Sequence, residues 1–216
     1  MRYLKSSGIE KLDYVIATHP HTDHIGGLAQ VLKSFEVGSI IMPKLTAANT
    51  PTTKTYQNLL EMVASKNIRA LAAKPGNKYS AGKISFEILG PTVQTNDLNN
   101  MSVICKADVN STSFLLLGDA EKPEIKSIMT RSPDLGCDVI LMGHHGSRSS
   151  LDNDLLTAVS PNLAVISCGQ GNSYGHPHEE VIKYLQKNNI EYYRTDKSGN
   201  IAVLCPDGGY SVKTQN

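Results

Sequence analysis

The chain has 216 residues, enough for one sizeable core and short for two ordinary domains. Apolar residues make up 40% and charged residues 19%, the balance of a globular chain and not of a disordered one. A formal net charge of +1 excludes a global field that would by itself draw nucleic acid or an anionic membrane, although cations held in a site could still supply positive charge locally.

Residues 1–5 do not lead into a signal-peptide core, and no apolar run is long enough to cross a bilayer. Residues 12–17 (LDYVIA) predict a buried strand, and a histidine-rich segment follows at once. Over residues 25–35 the apolar positions Ile25, Leu28, Val31, Leu32 and Phe35 recur at helical spacing, which places that segment on a strand-to-helix loop. A strand over 39–42, closed by Pro43, a helix over 53–66 and a strand over 68–72 follow. The middle of the chain predicts strands over 83–89, 102–107 and 113–117, the last two joined as a hairpin through residues 108–111. A helix over 122–130 tolerates Pro123 in its first turn. Strand and helix then alternate at 139–142, 151–159, 163–167 and 178–188, and strands over 191–194, 201–204 and 210–213 end the chain. No repeat or linker interrupts this pattern, so the expectation is a single domain over residues 1–216, mixed α/β, with helices outside packed sheets.

The four cysteines, Cys105, Cys137, Cys168 and Cys205, form no C-x-x-C pair, and three of them sit in apolar runs. Buried free thiols are expected, not disulfides or a cysteine zinc site.

The 7 histidines fall in three short clusters, at 19, 21 and 24, at 144 and 145, and at 176 and 178. Each cluster follows a predicted strand or the glycine-rich loop after one, which is where a rigid sheet aims several loops at one place. His19 and His21 are two residues apart, so an extended backbone turns both imidazoles to the same side. Asp23 and His24 arrive as the chain turns into the helix, and Asp23 is a carboxylate able to bind a metal or orient its water. Asp119 stands at the end of the apolar strand Leu115-Leu116-Leu117-Gly118, able either to bridge two cations about 3.5–4 Å apart or to cap the next helix. The glycine-rich segment 169–178 offers Asn172, Tyr174, His176 and His178 as donors toward a substrate, while Ser147, Arg148 and Ser149 form a second small donor group. His176 is the candidate for protonating a leaving group or stabilising transition-state charge. His178 could equally open the following helix, and Arg148 could equally be a solvated surface charge.

The segments THPHTDHIGG, LLLGD, LMGHHGS and NSYGHPH together resemble the metallo-β-lactamase superfamily, and more narrowly the hydrolase domain of the ComEC/Rec2 competence DNA-uptake proteins. The resemblance runs from about Gly8 to Gly208. It implies an αββα sandwich holding two divalent metal ions, zinc or manganese. By it, His19 and His21 hold one metal, Asp23 and His24 the other, Asp119 bridges, and His144 completes the second shell. His144 is preferred to His145 as the residue directly at the strand end, which leaves His145 to the substrate side. Two departures stand out. Many members have a further histidine between the first motif and the bridging aspartate, whereas this chain has none between His24 and His144, and 99–102 stands near that place. Members also normally begin with two or three strands before the motif, so the domain is expected to lack its first N-terminal strands and either to be less stable for it or to have the exposed edge covered by another chain. The implied reaction is hydrolysis of a phosphodiester, as a nuclease acting on DNA in uptake, at the extracellular face of a membrane-channel parent chain; outside such a parent a cytoplasmic place is expected. Alternatives are a small-molecule phosphoesterase similar to the phosphorylcholine esterases, and a catalytically weak metal-binding module of the channel.

Overall fold

Side chains alternate across two facing sheets, and this alternation builds three cores at once. The computed structural model describes residues 2–132 and 134–216. The N-terminal part comprises α1 (Arg2–Ser6), β1 (Lys11–Ile16), α2 (Thr22–Ile25), α3 (Leu28–Ser34), β2 (Glu36–Met42), α4 (Lys54–Ser65) and β3 (Arg69–Ala72). The middle holds β4 (Lys78–Ala81), β5 (Ile84–Gly90), a single 3-10 turn at Asn99–Met101, β6 (Ile104–Val109) and β7 (Thr112–Leu116). Then come α5 (Lys122–Arg131), β8 (Val139–Leu141), a tight turn at Gly143–Gly146, α6 (Asn153–Val159), β9 (Leu163–Ile166), α7 (Glu179–Lys187), β10 (Glu191–Arg194), α8 (Thr195–Ser198), β11 (Ile201–Leu204) and β12 (Ser211–Thr214).

Strands β1, β2 and β3 form a parallel three-stranded sheet in that order. The second sheet has the order β10-β9-β8-β7-β6-β5-β4, parallel from β10 to β7 and antiparallel from there on. Strands β11 and β12 make a separate antiparallel pair. Within β7, Leu115 points outward to a core shared with Ile125 and Ile128 of α5, Leu155 of α6, and Val181 and Leu185 of α7. Its neighbour Leu116 points the other way, into the inter-sheet core of Ile41, Phe86, Ile88 and Cys105. On the far side Val15 and Ile40 pack under Leu32 of α3 and Tyr56, Leu59 and Val63 of α4. The layers are therefore helix, sheet, sheet, helix, the αββα sandwich. The all-apolar runs of β8 and β9 follow, since parallel strands here are covered on both faces. Truncating a fully buried side chain such as Ile41 or Leu115 to alanine should cost about 2–5 kcal/mol.

Two differences from the sequence pattern have local causes. The helix expected over 25–35 is two helices, α2 and α3, separated by Gly26 and Gly27. A Cβ at residue 26 would lie 2.5 Å from the Thr22 carbonyl oxygen, so glycine lets the first turn close tightly, and glycine is also a poor helix former. Strand β4 was not expected; it pairs with β5 as a hairpin through Gly82 and Lys83, with Gly82 at φ +58°. The hairpin expected between β6 and β7 is present, turning at Asn110 and Ser111. All four cysteines are free thiols, but Cys205 is only half-buried because the β11–β12 pair lies outside the main sheets. Burial pushes Cys105 and Cys137 up to about 12, which leaves them inert as nucleophiles.

Candidate metal centre

Four loops meet at the C-terminal ends of β1, β7, β8 and β9, and they meet because the two sheets are stitched there. The Thr18 carbonyl accepts from Val103 N at 2.8 Å, tying the end of β1 to the chain entering β6. The Gly118 carbonyl accepts from His144 N at 3.0 Å, tying the loop after β7 to the loop after β8. Gly118 has φ +55°, and a Cβ there would meet Ser102 Cβ at 2.9 Å, so glycine is required for this approach.

Asp23, His24, Asp119 and His145 each bring one ligand atom to a common place, all within 4.8 Å of one another. His24 Nε2 lies 3.1 Å from Asp119 Oδ2, 3.4 Å from Asp23 Oδ2 and 3.3 Å from His145 Nε2. His145 Nε2 lies 3.2 Å from Asp23 Oδ2 and 3.6 Å from Asp119 Oδ2. Ligands at about 2.0–2.2 Å from one tetrahedral cation stand roughly 3.3–3.6 Å from each other. The donor set therefore fits a divalent ion in both chemistry and spacing. Beside it, His19 Nε2 lies 3.0 Å from His21 Nδ1 and 3.8 Å from Asp119 Oδ2, so Asp119 stands between the two groups. Asp119 does not cap α5, whose N-cap is Glu121.

The electrostatics follow from burial. His19 is fully buried, and desolvation, helped by the charge at His24, holds its imidazole down at about 3. It is a neutral ring, as a metal ligand must be. His24 is also penalised by burial, but its hydrogen bond to Asp119 and the charges of Asp119 and Asp23 outweigh that and raise it. Burial works against the Asp119 carboxylate too, and the surrounding imidazoles pull it below the ordinary range. Asp23, opposed by burial, is likewise lowered by His24, its own backbone N–H and His145.

The structure divides the late histidines differently from the strand-end argument. His145, not His144, enters the four-donor group, and its Nδ1 sits 2.8 Å from the Ser167 carbonyl, so that Nδ1–H donates and Nε2 is left free. His144 Nε2 is 3.7 Å from Asp119, while its Nδ1 is turned to Glu121 Oε1 at 3.2 Å and Ser149 Oγ at 3.2 Å. His144, His145 and Gly146 are consecutively left-handed, with φ of 47°, 56° and 79°, and both imidazoles bring Nε2 within 3.7 Å of Asp119 Oδ2, but only His145 also reaches Asp23.

Among the other candidates, Asn172 has its amide committed to the loop itself. Its Nδ2 donates to the His176 and Gly169 carbonyls at 2.7 and 2.9 Å, and its Oδ1 accepts from His176 N at 2.9 Å. Arg148 pairs with Glu180 at 3.2 Å, and its backbone N–H donates to His178 Nδ1 at 3.0 Å. His178 thus stands at the N-cap of α7 with its ring tying two loops together. Ser147 is buried, 3.0 Å from Ser149 Oγ. His176 faces the centre, its ring 5.5 Å from that of His144 and 6.1 Å from that of His145, and Tyr174 stacks on it. Burial and the neighbouring histidines lower His176, so it is mainly neutral near pH 7. Sequence reasoning missed Thr18, Ser102 and Glu121. Thr18 Oγ1 lies 3.3 Å from Nδ1 of both His19 and His24, and Ser102 Oγ lies 3.2 Å from His19 Nδ1 while accepting from Asp119 N at 3.0 Å. Only the position of Ser102, in the stretch where a further histidine is common, pointed to any of them.

The metallo-β-lactamase superfamily model matches residues 2–170 of the chain. The chain belongs to the metallo-β-lactamase superfamily. Among curated proteins it is 32% identical to ComE operon protein 3 of Bacillus subtilis over 200 residues, which is 92% of this chain and 25% of that protein. It is 32% identical to Recombination protein 2 of Haemophilus influenzae over 203 residues (93% of this chain, 23% of that protein) and 29% identical to competence protein ComA of Neisseria gonorrhoeae over 214 residues (98% and 28%). The chain thus spans about a quarter of the length of these relatives. Among solved structures it is similar to CmlA, a diiron β-hydroxylase from Streptomyces venezuelae, with a TM-score of 0.60 at 15% identity over 86% of this chain and 44% of CmlA. It is also similar to Igni18, a metallo hydrolase from Ignicoccus hospitalis, with a TM-score of 0.54 at 12% identity over 94% and 79%. Among the described residues no helix is long and apolar enough to cross a membrane.

Proposed function

We propose that this superfamily member is a metal-dependent phosphodiesterase that cuts DNA during competence-type uptake, at the extracellular face of a membrane-embedded parent channel. The observation that carries a bound divalent ion is the set of donor separations between 3.1 and 3.6 Å around His24 and His145, and membership of the superfamily supports hydrolysis as its chemistry. The kinship with competence proteins supports DNA as the substrate.

In this reading Asp23, His24, His145 and Asp119 would hold one divalent ion, zinc or manganese, and His19, His21 and Asp119 would hold the other. Divalent ions held there would supply Lewis acidity toward a phosphoryl oxygen and would lower the pKa of bound water. The protein's own groups do the positioning. Ser102 and Thr18 fix the ring planes of His19 and His24 from behind, and Ser167 fixes the tautomer of His145. Asp23 is the exposed carboxylate of the set and is placed to orient water. His176, kept neutral, serves as a hydrogen-bond donor to developing charge on the phosphoryl group, not as a strong acid.

Hydrolysis of bis-nitrophenyl phosphate and of single- and double-stranded DNA, titrated with manganese and zinc, tests this reading. A metal-dependent rate that disappears in the double variant Asp23→Ala, His24→Ala is expected. No rate above that variant's would overturn it.

A further inference from the structure

The donor cluster does not end at the histidines. Tyr174, at 77%, is the most exposed of the large apolar and aromatic side chains among the described residues. Its ring is stacked on His176, 5.7 Å away and inclined by 20°. His176 is stacked in turn on His145, 6.1 Å away and inclined by 26°, and His145 reaches Asp23 and Asp119. Three rings therefore run as a column from the metal donors to the surface, and the column's outer end is uncovered. The loop that carries it is held in place: Asn172 clamps the His176 backbone from both sides, and Gly171 and Gly175 flank Tyr174 at φ +67° and +72°.

We infer that Tyr174 is a stacking platform for an unpaired nucleobase adjoining the scissile phosphodiester. The inference rests on the phosphodiesterase reading above and names what that site recognises besides phosphate. A column of flat rings is extended most favourably by another flat ring, and every nucleobase presents such a face, whatever its sequence. A quaternary ammonium group asks instead for aromatic faces on several sides, whereas His176 is the one aromatic neighbour of Tyr174 among the described residues. A base can lie on the column only once it has left its own helical stack and its pairing partner. Single strands, frayed ends and displaced strands are therefore the preferred substrates, and duplex interiors are excluded from this contact.

The chain contains no tryptophan, so Tyr174→Trp places a single indole on the column, which excitation beyond the tyrosine absorption band reads alone. The full chain as purified is titrated with a phosphorothioate oligothymidylate, with an abasic deoxyribose-phosphate oligomer of equal length and charge, and with phosphocholine. Quenching by the oligothymidylate alone is expected. In binding assays Tyr174→Ala should weaken the oligothymidylate about tenfold or more, while Tyr174→Phe should hold its affinity because the ring face remains. Equal quenching by the abasic oligomer or by phosphocholine would overturn the platform. So would a loss in Tyr174→Phe as large as in Tyr174→Ala, which would make the hydroxyl the contact. Metal-dependent phosphodiester hydrolysis by the unaltered chain is measured alongside. Base-dependent quenching without hydrolysis sinks the phosphodiesterase reading alone, and hydrolysis without base-dependent quenching sinks the platform alone.

Discussion

The loop after β1 and the loop after β8 deliver ligand-type histidines to the same carboxylate by opposite means. In the first, His21 has an ordinary extended backbone and the chain passes directly into α2, so the direction of each donor follows from local sequence. In the second, three successive residues are left-handed, a conformation that His144 and His145 adopt only because the surroundings enforce it. Those surroundings include the Gly118 carbonyl, 3.0 Å from His144 N, and Pro177, whose Cβ lies 2.6 Å from where a Cβ on Gly146 would stand. One loop is specified by its own residues and the other by what packs on it.

The largest effect is expected where both loops depend on one residue. Asp119→Ala should lower metal-dependent hydrolysis by at least about 100-fold, measured as kcat/KM on a phosphodiester. Next, the two late histidines should separate. His145→Ala should weaken binding of zinc or manganese by more than about 100-fold in a competition titration, and His144→Ala by about 10–100-fold or less, as befits a residue behind the donors. Reversed ranking would remove the left-handed turn from the account. A smaller contrast concerns glycine. Gly146→Ala should cost about 1–3 kcal/mol of stability, through its contact with Pro177 and its φ of +79°. Gly27→Ala, at φ −90° with nothing near its added Cβ, should be neutral or stabilising by up to about 1 kcal/mol. Thermal melts of both variants check this.

The same contrast explains what could be read in the sequence. Strand and helix order was legible because apolar spacing along β1, α4, α5 and α7 matches the faces they bury, and the first motif because its donors are contiguous. The choice between His144 and His145 was not legible, since both follow the same strand and both approach Asp119, and what separates them is contacts to distant segments: Asp23 and the Ser167 carbonyl for His145, Glu121 for His144. Thr18, Ser102 and Glu121 were hidden for another reason: a hydroxyl or carboxylate behind a ligand carries no spacing pattern of its own. Strand β4 was obscured by its exposure, with no residue of it fully buried.

A separate effect is a pH dependence in chelator-treated protein. His19 titrates at about 3 when folded and near 6.5 when unfolded, so the unfolded chain takes up the proton first as pH falls below 6.5, and stability declines toward acid. Asp119, depressed when folded, contributes stability above pH 3.8 that is lost as pH falls through its folded value. His24 runs the other way: its raised value contributes stability below pH 6.5 that is lost as pH rises through it. His19→Asn should flatten the melting-temperature curve between pH 6.5 and 3.8, and an unchanged slope would contradict the burial argument.

The most direct test is anomalous diffraction from crystals of this chain soaked in manganese. One peak is expected within about 2.2 Å of ligand atoms of His24, His145, Asp23 and Asp119, and a second against His19 and His21 on the other side of Asp119. Peaks elsewhere, or none under saturating manganese, would contradict it.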